Sequence, residues 1–105
     1  MSAAQIEMDP AIKVRAGFGL VNCPFEDGRT FCRWVEALEA AGVDSVWSAE
    51  AWGTDAVTPL AYLAGKTERI KLGTGIMQIS ARAPSMTAMT ALALHDLSDG
   101  RFLLG

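Results

Sequence analysis

Apolar residues along the chain follow two rhythms in alternation. From Phe31 they fall at Phe31, Trp34, Val35, Leu38 and Ala41, the i, i+3, i+4, i+7 spacing of one helix face. Arg29, Arg33, Glu36 and Glu39 occupy the other face, Asp27 is available as N-cap, and Gly42 supplies a C-terminal stop. A second helix is expected after Thr54 or Asp55, with Pro59 in its first turn, Leu60, Ala61 and Ala64 buried, and an end near Lys66. A third opens at Ala83-Pro84-Ser85, carries Met86, Met89, Ala93 and Leu97 on one side, and closes at Ser98-Asp99-Gly100. Its methionine stripe reads as core filling rather than as a ligand box.

Between these helices lie short apolar runs. Residues 13–20 hold Val14, Ala16, Phe18 and Leu20; residues 44–48 and 101–104 are similar; the most uniform run is Ile70 to Ile76. It is too short for a helix and too apolar for a half-exposed strand, so it reads as a strand buried on both faces. Gly73 and Gly75 leave one edge of it bare just before the polar Gln78, and glycine within a strand often marks close approach of a ligand. Glu50, with Trp52 beside it, stands just beyond the preceding strand. The Trp can be part of a functional loop or only packing.

Strands thus begin near residues 16, 44, 70 and 101 with one helix in each interval, the βαβ rhythm of a parallel sheet. An open doubly wound sheet and a (β/α)8 TIM barrel both fit. Gly17-Phe18-Gly19 has neither the third glycine nor the following helix of a dinucleotide turn, which favours the barrel. A barrel needs about 250 residues, so this α/β chain would supply only its first ~3.5 βα units, in the order β1-α1-β2-α2-β3-α3-β4. Residues 1–12 read as a disordered leader and 13–105 as the amino-terminal part of the barrel domain. Such a piece exposes sheet edges, so it either belongs to a longer barrel or pairs with itself.

Composition narrows the function classes. The chain has 105 residues, 50% of them hydrophobic, with a formal net charge of −3 and scattered basic residues, which argues against a nucleic-acid or anionic-membrane surface. Cys23, Cys32 and His95 lack metal-ligand spacing, so no metal site is expected and the thiols read as reduced. No run is long enough to span a membrane and the amino terminus does not resemble a signal peptide, so a cytoplasmic protein is expected.

Three stretches, 48–56, 67–76 and 97–105, resemble in sequence, order and spacing the bacterial-luciferase-like monooxygenases, particularly the branch that uses the deazaflavin coenzyme F420. The resemblance implies a TIM barrel of which this chain is the amino-terminal third, and an oxidoreductase passing hydride between coenzyme F420 and a small organic substrate. The alternatives are an FMN-dependent monooxygenase of the same fold and a non-catalytic half-barrel serving as a binding or assembly module. This stretch alone is expected to show little turnover, because a barrel site draws on several strand ends. Self-association is also expected. Family members carry a non-proline cis peptide in the third strand, here between Gly75 and Ile76. The implied cofactor contacts are Thr74, Gly75, Ile76, Gln78 and Trp52, and the implied catalytic residue is Glu50. Relatives often place a His after that acid; here Ala51 stands there, which weakens any carry-over of imidazole chemistry. Glu50 either bonds the cofactor ring or salt-bridges a nearby Arg, and Arg82 is either a phosphate or carboxylate contact or an exposed rim residue.

Overall fold

The computed structural model describes residues 16–19, 28–51 and 53–105. Its elements run β1 (Gly17–Gly19), α1 (Gly28–Ala40), β2 (Ser45–Ser48), α2 (Val57–Ala64), β3 (Lys71–Thr74), a 3-10 turn (Ile79–Ala81), α3 (Pro84–Leu97) and β4 (Phe102–Leu103). The four strands form one parallel sheet in sequence order, with Trp47 opposite Gly73 and Gly73 opposite Leu103. Sequence order with a helix in each crossover is the arrangement of consecutive barrel strands. The expected leader, Cys23, the Asp27 cap and Trp52 lie outside the described residues.

Helix α1 keeps the periodic face read from the sequence: Val35 is fully buried, and Phe31, Trp34 and Leu38 pack on the core from its margin. Gly42 ends it with φ +88, where a side chain is disfavoured. At α2 the Asp55 carboxylate accepts from the amides of Val57 (3.1 Å) and Thr58 (2.8 Å), so it does the capping work although Ala56 holds the cap position. Leu60, Leu63 and Ala64 are buried against Ile70 and Leu72 of the sheet side. Leu63 was not among the expected core residues of α2.

Helix α3 corrects the expectation of a buried methionine stripe. Met86, Met89 and Leu97 are 49%, 57% and 65% exposed, whereas Leu94 is 3% exposed and meets the core. The reason lies in the sequence: α3 also carries Ala91, Leu92 and Leu94, so it is apolar on nearly every side and periodicity cannot choose which side meets the sheet.

The amino ends of the strands are tied by charged groups. Glu39 at the end of α1 accepts from three successive amides, Glu68, Arg69 (2.8 Å) and Ile70 (2.8 Å), at the entrance to β3. Burial works against its anion, but these bonds outweigh it and hold the carboxyl below its ordinary pKa. The Asp44 carboxylate accepts from Ala16 N at 2.9 Å, and Arg101 donates to Ser98 O, Thr67 Oγ1, Ile70 O, Ala64 O and Thr67 O at 2.6–3.0 Å. A cavity of about 670 Å³ opens at this end, lined among others by Asp44, Trp47, Arg69 and Leu103. It is lined mainly by residues before and at the start of β2 and β3 and lies away from the loops at the carboxyl ends.

Candidate active site

Parallel pairing places the residues that follow β2, β3 and β4 at one end of the sheet. There the segment Gly75-Ile76-Met77-Gln78 crosses between neighbours, and each residue is tied to one of them. Gly75 N donates to Ser48 O at 2.7 Å, Ile76 O accepts from Glu50 N at 3.2 Å, and Met77 N donates to Gly105 O at 3.0 Å. Gln78 N donates to Glu50 Oε1 at 2.8 Å, and its side-chain amide donates to Glu50 O at 3.3 Å. The Gly75–Ile76 peptide is cis, as the resemblance implied. The result is a ledge of fixed backbone. Of its two apolar side chains Met77 is buried in the core and Ile76 is 65% exposed, and Ile79 in the following turn is 92% exposed.

Glu50 and Arg82 meet across this ledge, of the two readings of Glu50 the salt bridge. Arg82 Nη1 and Nη2 donate to Oε1 (2.5 Å) and Oε2 (2.7 Å), a two-pronged pairing. The Glu50 side chain is 11% exposed and that of Arg82 17%. The amide of Ala56 also donates to Oε2 at 3.2 Å, which ties the start of α2 to the same carboxylate. Arg82 foremost, then the Gln78 and Ala56 amides acting against burial, lower the Glu50 pKa from 4.5 to about 2. Arg82 is therefore not an exposed rim residue, and its guanidinium is paired within the chain.

The remaining expected contacts separate by exposure. Gly75, Ile76 and Gln78 lie on the exposed ledge. Thr74 is fully buried and its hydroxyl exchanges hydrogen bonds with the Gly105 backbone at 3.0 and 3.1 Å, so its side chain joins β3 to the end of β4 and does not face the ledge. The bare edge expected at Gly73 is filled from within: Trp47 covers it, and a Cβ on Gly73 would come 2.3 Å from the indole Cε3. Trp47 is itself oriented by donation from Nε1 to Ser45 Oγ at 2.9 Å. Sequence reading missed this occupant, and the signal for it was the alternation that aims Trp47 and Gly73 to the same side of paired strands. Among the described residues no group of three or more His, Cys, Asp or Glu could hold a metal ion, and no helix is long and apolar enough to cross a membrane.

Comparison with known proteins points the same way. The family model described as luciferase-like monooxygenase matches residues 8–105. The chain is 55% identical over 71 residues to a Mycobacterium tuberculosis protein provisionally named a coenzyme F420-dependent oxidoreductase, covering 68% of this chain and 20% of that protein. It is 38% identical over 76 residues to 4-hydroxyprotoasukamycin monooxygenase of Streptomyces nodosus subsp. asukaensis, covering 67% and 20%. Among solved structures, the coenzyme F420 dependent tetrahydromethanopterin reductase from Methanopyrus kandleri superposes with a TM-score of 0.78 at 26% identity, over 90% of this chain and 27% of that one. The chain thus spans about a fifth of the length of these two curated relatives.

Proposed function

The chain belongs to the luciferase-like monooxygenase family, and on that premise we propose that the whole protein is a cytoplasmic oxidoreductase that holds coenzyme F420 at the carboxyl face of a TIM barrel and passes hydride between it and a small organic substrate. The observation that carries this reading is the ledge at Gly75 to Gln78, whose backbone is tied while Ile76 stays 65% exposed. Its residues fit a deazaflavin ring. Such a ring has a flat apolar face and a polar rim, and Ile76 offers an apolar surface beside the exposed Gln78 amide. Gly75 adds no side chain to the approach.

When bound, the cofactor supplies hydride transfer at C5 of its ring. The work of this chain is to bind and orient. Ile76 and Gly75 support the ring face, Gln78 borders its rim, and Ile79 shields the surface from water. Trp52 is carried over from the family resemblance as a further contact of the ring. Thr74 acts from beneath, through Gly105.

FMN is the alternative cofactor, implied by the monooxygenase side of the family resemblance, and the likeness to a named monooxygenase supports that activity. The two are separated by titrating the intact protein with coenzyme F420 and with FMN, and by following oxygen uptake with reduced FMN. Saturable F420 binding without oxygen uptake supports the deazaflavin reading; oxygen consumption with reduced FMN replaces it by the monooxygenase. Binding of neither removes the oxidoreductase reading and leaves a binding or assembly module.

A further inference from the structure

Glu50 has no free acceptor to offer a reacting proton. Its two carboxylate oxygens take four donors: both terminal nitrogens of Arg82 and the amides of Gln78 and Ala56. Its backbone takes two more bonds, from Glu50 N to Ile76 O and from Gln78 Nε2 to Glu50 O. Six bonds thus converge on one residue, and five of them hold the ledge or the end of the turn that follows it. A carboxylate so engaged has traded proton-transfer capacity for geometry.

We propose that Glu50 and Arg82 form a positioning pair that sets the height and tilt of the Gly75–Gln78 ledge against the cofactor ring, and that neither transfers a proton in the reaction. The inference rests on the reading that the ledge receives the ring. Arg82 stands at the exit of the 3-10 turn, just before α3, and Glu50 at the exit of β2. Their contact therefore closes a loop through the ledge: the chain leaves β3, crosses as Gly75 to Gln78, turns through Ile79–Ala81, and is returned by Arg82 to the carboxylate that holds Gln78 N. Without Arg82, the carboxylate keeps only two neutral amides and the end of the turn is released. Without the Glu50 acceptor, the Gln78 amide and the guanidinium both lose their partner. Either loss lets the ledge shift while the sheet beneath, held by its own ladder, stays in place.

The test uses the intact protein with the substitutions E50Q, R82A, R82K and the exchange E50R/R82E. Each is titrated with coenzyme F420, and with FMN in parallel, at a temperature where circular dichroism shows it folded. E50Q and R82A are expected to weaken binding of the cofactor that wild type takes by about tenfold or more, the scale on which small misplacements act. R82K recovers part of that loss, because it restores one charge but not the fork. The exchange does not recover it, because a guanidinium at position 50 has no acceptor for the Gln78 amide. The pH profile of kcat/KM keeps its shape in E50Q and falls only in height. Binding in E50Q and R82A equal to wild type, full recovery by the exchange, or loss of one limb of the pH profile in E50Q each overturns the proposal. Where R82A does not fold, R82K decides: affinity equal to wild type overturns the pair. A wild type that binds neither cofactor overturns the functional reading and this one with it, whereas binding that is indifferent to the variants overturns this one alone.

Discussion

Trp47 lies over Gly73 so closely that a Cβ at Gly73 would come 2.3 Å from its Cε3 and 2.4 Å from its Cζ3. The two are register partners on β2 and β3, and Gly17 on β1 gives the same indole room, since a Cβ there would come 3.3 Å from Nε1. The ring cannot swing aside cheaply, because it is rigid and its Nε1 is bonded to Ser45 Oγ. We expect Gly73→Ala to destabilise the protein by about 1–3 kcal/mol, the range of overpacking. In a double-mutant cycle with Trp47→Leu most of that loss should disappear. Urea unfolding of the four proteins measures it, and strictly additive effects would show that the indole does not hold this place.

A second expectation concerns acid. The Glu50 pKa is lowered from 4.5 to about 2 in the folded protein, so between those values the unfolded chain binds more protons and stability rises with pH. The contribution of this carboxylate is present above about pH 4.5 and is lost as pH falls toward 2. Unfolding midpoints of wild type and Glu50→Gln, followed from neutral pH downward, should stay separated by a constant gap and then converge in that window. A gap that is unchanged on acidification contradicts the assignment.

Core and surface leucine and methionine positions should separate sharply. Leu60→Ala and Leu63→Ala, at residues with no exposed surface, are expected to cost about 2–5 kcal/mol. Met86→Ala and Met89→Ala, on the exposed side of α3, should stay within about 0.5 kcal/mol. Losses at the methionines as large as at the leucines, together with a larger species on sizing chromatography, would mean that another polypeptide surface covers α3 in solution.

Arg101 spends all its donors on one junction, five bonds to α2's last turn, Thr67, Ile70 and Ser98. Lysine has a single point of attachment and cannot reproduce that fan. Arg101→Lys is therefore expected to destabilise by about 2 kcal/mol or more, since several carbonyls lose partners at once. Thr67→Ala, which removes one acceptor, should cost less. Thermal unfolding of both variants ranks them, and the reverse order would remove Arg101 from this role.

Much of the scaffold was legible because its signals are local. The spacing of Phe31, Trp34, Val35 and Leu38, the positive φ of Gly42, and Pro84 at the first turn of α3 all act within a few residues. What sequence reading left open or missed was mostly the identity of a partner. The α3 stripe was readable as a shared side, but whether something covers it depends on the rest of the fold, and Leu94 turned out to face inward instead. Gly73 announced that something comes close without saying that it is Trp47. The Glu50–Arg82 pairing joins residues 32 apart through two loop exits, and no periodicity records it. Thr74 and Gln78 are both polar and near one another in sequence, yet one is sealed under the sheet end and the other lies open. Alternation would put residues four apart on one side, so the difference follows from the strand ending at Thr74.

The grip of Glu39 on three successive amides lies at the opposite end from the ledge. Together with Asp44 and Arg101 it makes the strand entrances a foundation whose geometry is settled without reference to any ligand. Loops at the exits can then be lengthened, shortened or exchanged while the sheet keeps its register. A lineage built on this plan can change what it acts upon by rewriting the rim alone, and each trial begins from a footing that is already sound.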